Sequence, residues 1–220
     1  MTTTVTTVVN SVKTTLQETE ATGVRWTNDE IISYLNDACR FLAENEPDAF
    51  SDNSEFFCVI GTRQELPSNA TRLIDIVRNL EGKKTPLTPS DKTTMNAIRP
   101  NWHSENPSTQ QELFFNDDRD SKRFYVYPPA KAGSLLEIVI ALEPRHHFIA
   151  EAQDKSSLMQ VNDRYIPSIM NYMLYRAFDK DSDTAGNFSR AQTYLRNAYT
   201  SLGVKMQNTG RISPNNEANK

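Results

Sequence analysis

The sequence predicts an α+β protein: a helical bundle, made of amino-terminal helices and a carboxy-terminal helical hairpin, with an inserted antiparallel β module. Two observations predict this class. Near both ends of the chain, apolar residues recur at three- and four-residue steps, the period of a helix with one buried face. The middle of the chain instead holds short aromatic and β-branched runs separated by Pro, Gly and Asp, which is typical of strands joined by turns.

The two amino-terminal helices are predicted over residues 3–17 and 27–45. Thr27 and Glu30 form a capping box at the start of the second helix, and Trp26 and Ile31 stand at the hydrophobic staple positions around it. The apolar stripe of the first helix consists of Val5, Val8, Val9, Val12 and Leu16.

The carboxy-terminal hairpin is predicted from two helices, residues 165–178 and 184–202, joined by a short polar turn. Pro167 lies in the first turn, where a missing N–H does least harm. The inner face of the second helix is expected to hold Phe188, Ala191, Leu195, Ala198 and Leu202. In the bundle we expect burial of Leu35, Phe41, Met173, Leu195 and Leu202.

The β module is predicted from four runs. Residues 55–60 are expected to form a short buried strand, and residues 70–77 fit a strand or a short helix, with the strand favoured. A hairpin is predicted over residues 113–127, around an acidic turn at 116–121, and residues 136–142 then form a further strand. We therefore expect three consecutive antiparallel strands.

These elements predict four regions along the chain: amino-terminal helices at 1–50, the β module at 51–150, the helical hairpin at 151–203 and an extended tail at 204–220. Within the module, residues 81–107 are polar and contain four prolines, as in an exposed excursion or a subunit contact. Trp102 in this excursion is an interface candidate, although it would equally serve to plug the body of the protein.

Composition limits the function classes. The 220 residues include 24 Lys and Arg against 28 Asp and Glu, a net charge of −4 that disfavours electrostatic binding to nucleic acid or to an anionic membrane. The two cysteines, Cys39 and Cys58, form no CxxC pair, as expected in a reducing compartment. The sequence has no signal-peptide pattern, and no apolar run approaches the roughly 18 residues of a membrane span.

We predict no catalytic, cofactor or metal site. His146 and His147 are adjacent residues that cannot easily share one ion, and we expect them to be solvent-exposed loop residues. The acidic run at 116–120 lacks the glycine and the distal glutamate of a calcium loop, so it predicts a turn. The sequence contains no GxSxG, P-loop or GxGxxG motif. These observations favour a structural or binding protein over an enzyme.

Four sequence blocks, in order, resemble the head-to-tail adaptor proteins of tailed bacteriophages, also called connector or head-completion proteins. The first block is RWTNDEIISYLNDA at 25–38. The others are GTRQELP at 61–67 with RLIDIVRN at 72–79, then FYVYPPA at 124–130, and finally the stretch from Tyr165-Ile166-Pro167 through LYRAF at 174–178 to Asp181-Ser182 and Asn187. Each block alone is weak, but together they are fairly specific.

The resemblance implies a structural virion protein of the phage neck or tail that is assembled in the host cytoplasm. It implies a homo-oligomeric ring, usually of twelve copies, that docks under the portal protein, extends the DNA channel and provides a platform for tail tube or nozzle proteins. Genome DNA would pass through the lumen without specific binding, and no membrane would be involved. The fold that it implies is also a helical bundle with an inserted β module.

Two other functions stay open at this level. A tail-associated cell-wall hydrolase would need an acidic residue in a cleft, and Glu112 and Glu137 are the candidates, although each is one polar residue in a strand alternation. A DNA-binding accessory protein is the other alternative.

The tail at 204–220 is too polar to build a core, so we expect it to be disordered alone and to fold on a partner. Because the resemblance implies that this segment reaches the portal, we predict that it docks there. Arg211 is the expected ion-pairing residue, Ile212 the apolar anchor, and Pro214 favours an extended path.

Overall fold

The computed structural model describes residues 3–17, 25–117, 119–183 and 186–203. The helices in these ranges are α1 (Val5–Leu16), α2 (Asn28–Asn45), α3 (Lys92–Ile98), α4 (Ile166–Lys180) and α5 (Asn187–Ser201). The strands are β1 (Ser51–Phe57), β2 (Gly61–Glu65), β3 (Ala70–Asn79), β4 (Thr88–Pro89), β5 (Leu113–Asn116), β6 (Arg123–Ala130) and β7 (Leu135–Leu142). The fold is α+β, as predicted.

The chain forms two compact units. The helical unit comprises Met1–Phe41 together with His147–Lys220, and the inserted unit comprises Leu42–His146. Helices α1, α4 and α5 and most of α2 belong to the helical unit, whereas the inserted unit holds all seven of the described strands and α3.

In the helical unit, the predicted apolar stripe of α1 is confirmed, since all five of its residues are buried. Thr4 caps the helix by accepting a hydrogen bond from the N–H of Thr7 at 3.2 Å. Burial of the valine stripe offsets the modest helix propensity of the threonines that fill the other face.

The capping box that was predicted for α2 is present. The N–H of Thr27 donates to the Glu30 carboxylate at 2.9 Å, and the N–H of Glu30 donates to the Thr27 hydroxyl at 3.3 Å. The indole N–H of Trp26 donates to the carbonyl of Ala177 at 3.0 Å, which fixes the start of α2 against α4.

Helices α4 and α5 form the predicted hairpin. The buried hydroxyl of Ser168 donates to the carbonyl of Ala198 at 2.9 Å. The ring of Phe41 stacks on Tyr172 and meets the edge of Tyr199, with centroids 4.4 and 4.9 Å away. Hydrogen bonding and aromatic stacking thus tie α2, α4 and α5 together.

The five predicted core positions divide into two groups. Leu35, Phe41 and Met173 are buried, whereas Leu195 and Leu202 on α5 are only half-buried. The prediction for Phe188 is wrong, because its side chain is 60 % exposed. Its neighbour Asn187 is the buried residue of this turn and donates to the carbonyl of Asp181 at 3.3 Å.

The inserted unit contains two sheets, with strand orders β1-β7-β3 and β2-β6-β5-β4. One hydrophobic core contains side chains from both sheets, and the rings of Phe56 on β1 and Phe124 on β6 lie 5.3 Å apart. The strand that was favoured over residues 70–77 is confirmed as β3. The hairpin of β5 and β6 is confirmed as well.

Two predictions for the strands are wrong. The three consecutive antiparallel strands do not form, because β7 pairs with β1 and β3 instead of β6. The physical reason is that both edges of β6 are already occupied, by β2 and β5. The strand expected at 55–60 begins earlier, at Ser51, and ends at Phe57. Its burial was also mispredicted, since only Phe56 is buried within β1.

Candidate interaction surfaces

Trp102 lies inside the inserted unit rather than on its surface. Its side chain is fully buried beside Met95, Phe115 and Tyr127. The indole N–H donates to the Asn96 side chain at 2.8 Å. The sequence allows Trp102 to be either an interface residue or a plug of the protein body. Its burial favours the second role, in which Trp102 anchors the polar excursion at 81–107 to the body of the unit.

The histidines do not converge. His103 is exposed, and its Nδ1 lies 2.7 Å from the Thr62 hydroxyl. Its ring packs on Trp102, and the resulting partial loss of solvent, followed by the charge of Lys92, lowers the pKa of His103. His146 is exposed as predicted, but His147 is only 1 % exposed, so the prediction for it is wrong. In the part of the chain that the structure describes, no three His, Cys, Asp or Glu side chains are grouped as metal ligands.

His147 can be buried because both its backbone and its imidazole ring have polar partners. Its backbone N–H donates to Asn36 at 2.7 Å, and its carbonyl accepts from the same side chain at 3.0 Å. The ring Nδ1 lies 3.0 Å from the Glu151 carboxylate. The partner that holds the His147 backbone is not visible in a local sequence pattern, since Asn36 is more than a hundred residues away.

The described residues of the acidic run, 116–117 and 119–120, lie in the predicted turn. The carboxylate of Asp117 accepts from the N–H of Arg119 at 3.1 Å, and that of Asp120 accepts from the N–H of Lys122 at 3.0 Å. The first of these hydrogen bonds is the main cause that lowers the pKa of Asp117. These side chains therefore stabilise their own backbone.

The two candidate acids of the hydrolase alternative lie apart in the fold. Glu137 is on β7, where Arg78 donates to its carboxylate at 2.5 Å and Asn53 at 3.0 Å. The hydrogen bond from Arg78, followed by that from Asn53, lowers the pKa of Glu137, whereas a general acid needs a raised pKa. Glu112 is exposed and precedes β5, which lies in the other sheet.

The clearest surface feature of the inserted unit is an apolar tip, residues 57–60, which comprises the last residue of β1 and the loop that leads to β2. Phe57, Val59 and Ile60 are 67 %, 60 % and 68 % exposed. Cys58 between them is buried, and burial raises the pKa of its thiol to about 12. Three large apolar side chains exposed within four residues mark a candidate contact surface.

The apolar tip has a fixed shape. The buried side chain of Gln64 accepts from the N–H of Val59 at 2.8 Å and donates to the carbonyls of Val59 and Gly61 at 2.9 and 3.1 Å. Cys58 exchanges two backbone hydrogen bonds with the turn before β7. Gly61 then turns the chain into β2 with a φ of 107°, a conformation that glycine adopts readily.

A second surface feature lies in the helical unit, on the segment 147–158 between β7 and α4. The Glu151 carboxylate organises it by accepting from the Ser157 hydroxyl at 2.7 Å and from the N–H of Phe148 at 3.3 Å, beside its contact with His147. Burial raises the pKa of Glu151, but these hydrogen bonds together outweigh burial and lower the pKa to about 2.

Next to this segment lies a cavity of about 220 Å³. Its lining consists of Val9, Asn10, Lys13, Asn28, Ile149, Ala152 and Gln153. Ile149 in this lining is 42 % exposed. The helical unit therefore offers a recess lined mainly by polar side chains, whereas the inserted unit offers a group of exposed apolar side chains.

Sequence reasoning missed both features. The run at 55–60 has the composition of a buried strand, so its exposure was not predicted. The available signal was Gln64, a long amide placed shortly after the run and able to hold the backbone of a loop. The predicted portal-docking residues, Arg211, Ile212 and Pro214, lie outside the described residues.

Two further observations concern the chain as a whole. Among the described residues, no helix combines the length and the apolar content needed to cross a bilayer. Comparison with protein families gives a match over residues 3–218, nearly the whole chain, to the family model described as SU10 adaptor protein. Comparison with curated proteins gives no match.

Proposed function

This chain belongs to the SU10 adaptor protein family, a family of phage head-to-tail adaptors, and from that premise we propose how it works in the virion. It forms a ring in the neck of the particle, docks under the portal, extends the DNA channel and provides the platform for tail proteins. The observation that carries the proposal is the family match over residues 3–218. The number of copies implied by the resemblance is about twelve, in a closed cyclic arrangement.

The distribution of charge supports a conduit rather than a DNA-gripping protein. The inserted unit carries 12 Lys and Arg against 16 Asp and Glu, whereas the rest of the chain carries 12 of each. The net charge of −4 therefore belongs to the inserted unit. Negative charge repels the phosphate backbone, so DNA in transit would not adhere to this unit.

Docking to the portal is assigned in this proposal to the tail at 204–220. Arg211 supplies an ion pair, Ile212 an apolar anchor, and Pro214 an extended path. Single tails bind weakly, but copies held in one ring act together because each further docking event is intramolecular.

The test is attachment of the full chain to isolated portal rings of the same phage, measured by co-sedimentation. A chain truncated after Gly203 is expected to lose attachment. The variant Ile212→Ser is expected to weaken it at least tenfold, whereas the matched control Asn215→Ser in the same tail leaves it unchanged. If the truncated chain attaches as well as the full chain, the tail is not the docking element and the α4–α5 hairpin must carry the contact.

The hydrolase and DNA-binding alternatives are less well supported. The pKa of Glu137 is lowered, not raised, and the negative charge of the inserted unit opposes DNA retention. Zymography on peptidoglycan and salt-dependent DNA retention test these two alternatives directly, and we expect both to be negative.

A further inference from the structure

Strand β1 of the inserted unit has a free edge. It pairs with β7 on one side, and no described strand lies on its other side. Five of its seven residues are exposed. An exposed edge strand presents unpaired backbone N–H and C=O groups, which are a template for a further strand.

The register of β1 on β7 decides which backbone groups point outward. Cys58, directly after β1, donates its N–H to the carbonyl of Ser134 at 2.8 Å, so the even-numbered residues of β1 bond to β7. The N–H and C=O groups of Asn53, Glu55 and Phe57 therefore point away from the sheet. Outside the pair of β1 and β7, no described residue forms a backbone hydrogen bond with these groups.

β1 is also the most regular of the described sheet edges. Its seven residues pair with β7 without a register shift. The opposite edge, β3, has three register shifts, and β2 in the other sheet has one. The remaining edge, β4, is two residues long and contains Pro89. Bulges, short strands and proline block strand addition at an edge, and β1 has none of these three features.

The side chains of β1 indicate the chemistry that an added strand must have. Glu55 lies opposite Glu137 of β7, and the carboxylate of Glu137 is already bound by Arg78 and Asn53. Glu55 is exposed and forms no ion pair with a described residue. Because carboxylates in directly opposite positions repel each other, a Lys or Arg on the free side of Glu55 would offset the repulsion.

Phe57 adds an apolar requirement. Its ring is 67 % exposed, and it lies on the same face of the sheet as Glu55 because side chains alternate along a strand. Leu135 of β7 is its neighbour on the paired side. An added strand would place a side chain on the free side of Phe57, and an apolar side chain there would remove ring surface from water.

We propose that the free edge of β1 binds an extended segment of a different protein, which adds to the sheet as an antiparallel strand. The segment carries a large apolar residue opposite Phe57 and, two positions later, a Lys or Arg opposite Glu55. In this mode of binding, main-chain hydrogen bonds supply affinity and alternate side chains supply specificity. The edge is present on a single copy of the chain, so the inference does not rest on the proposed ring.

A different protein fits this edge better than a second copy of the chain. β1 contains two acidic residues and no basic residue, so β1 of a second copy would bring like charges to the edge. The register shifts of β3 make it a poor partner as well. No Lys or Arg stands two positions after a large apolar residue in the segments outside the described residues, which are 1–2, 18–24, 118, 184–185 and 204–220.

Amide exchange, resolved by NMR on the isotope-labelled full chain, tests the contact. The probe is the acetylated and amidated peptide Thr-Val-Thr-Val-Thr-Lys-Thr. It is expected to slow exchange at the outward N–H groups of Asn53, Glu55 and Phe57 at least fivefold. Exchange at Ser54 and Phe56, which bond to β7, should change less than twofold, and this alternation is specific to strand addition.

The charge requirement is tested with a matched peptide that has Glu in place of Lys. The parent chain should need at least a fivefold higher concentration of the Glu peptide than of the Lys peptide for the same protection. Glu55→Lys changes an exposed side chain and should reverse this preference.

The backbone requirement is tested at Asn53. Asn53→Pro removes one outward N–H, which an edge strand tolerates, and it should weaken binding of the Lys peptide at least tenfold. The matched control Asn53→Thr removes the same side chain but keeps the N–H, and it should change binding less than twofold. If Asn53→Pro does not fold, the reversal of preference in Glu55→Lys decides.

Four results would overturn the inference. Neither peptide protects the outward amides; the protection extends equally to Ser54 and Phe56; or the parent chain binds the Lys and Glu peptides equally well. In the fourth, the outward amides become protected without peptide when the concentration of the chain is raised, which would assign the edge to a second copy.

Discussion

Gln64 is the residue on which the shape of the apolar tip depends. Replacing it with leucine removes all three hydrogen bonds to the loop and leaves the Val59 N–H without its partner. We expect Gln64→Leu to accelerate amide exchange at Val59 and to lower the free energy of unfolding by about 1–3 kcal/mol. Urea unfolding and hydrogen-exchange mass spectrometry measure both. The control is Glu65→Leu on the exposed side of β2, and equal losses in the two variants would refute the role of Gln64.

Glu151 makes the stability of the helical unit depend on pH. Its pKa is about 2 in the folded chain, below the ordinary value of 4.5. A lowered pKa contributes stability above pH 4.5, and this contribution is lost as the pH falls from 4.5 towards 2. We expect Glu151→Gln to destabilise the protein at pH 7 by at most about 3 kcal/mol.

Urea unfolding of both proteins across this pH range, followed by tryptophan fluorescence, checks the prediction. The difference between parent and variant should shrink as the pH falls below 4.5. A difference that stays constant from pH 7 to pH 2.5 would show that the Glu151 carboxylate is not held in its charged form.

At the scale of elements, α2 depends on its capping box. Thr27→Ala removes the acceptor of the Glu30 N–H, and we expect a loss of about 1 kcal/mol in the free energy of unfolding. Thermal and urea unfolding measure it. The control is Asp29→Ala, which removes a neighbouring side chain of the first turn that is not part of the capping box. If this control loses as much unfolding free energy as Thr27→Ala, the result would argue against the capping box.

The hairpin of α4 and α5 allows a comparison of two core positions. Met173 is fully buried, so Met173→Ala should lower the free energy of unfolding by about 2–5 kcal/mol. Leu195 is half-buried, and Leu195→Ala should therefore cost clearly less than Met173→Ala. Chemical denaturation of the two variants measures both losses of unfolding free energy. A larger loss for Leu195→Ala than for Met173→Ala would contradict the packing of this hairpin.

The elements that the sequence predicts well are those fixed by neighbours in the chain. The start of α2 follows from Thr27 and Glu30, and the turn at 116–121 follows from carboxylates that bond their own backbone. The partners of β7 and the exposure of residues 57–60 were mispredicted. The partners of β7 depend on pairing between strands that are distant in sequence. The exposure of residues 57–60 depends on the hydrogen bonds of one buried amide, Gln64. The local periodicity of the sequence shows neither.

At the scale of the whole molecule, the family was predictable because four blocks occur in order from residue 25 to Asn187, and the match over residues 3–218 confirms it. The exposure of individual segments was not predictable in the same way. Trp102 has the composition signal of an interface but is buried, whereas the apolar tip has the composition of a core strand but is exposed. Exposure is a property of the folded unit rather than of a segment.

The central claim is that this chain assembles as a ring on the portal. Native mass spectrometry of the full chain titrated onto isolated portal rings tests this most directly. We expect a single saturated complex that carries about a dozen copies of the chain, reached cooperatively because each bound copy presents a surface to the next. No binding, or independent binding of one or a few copies without a defined end point, would contradict the account.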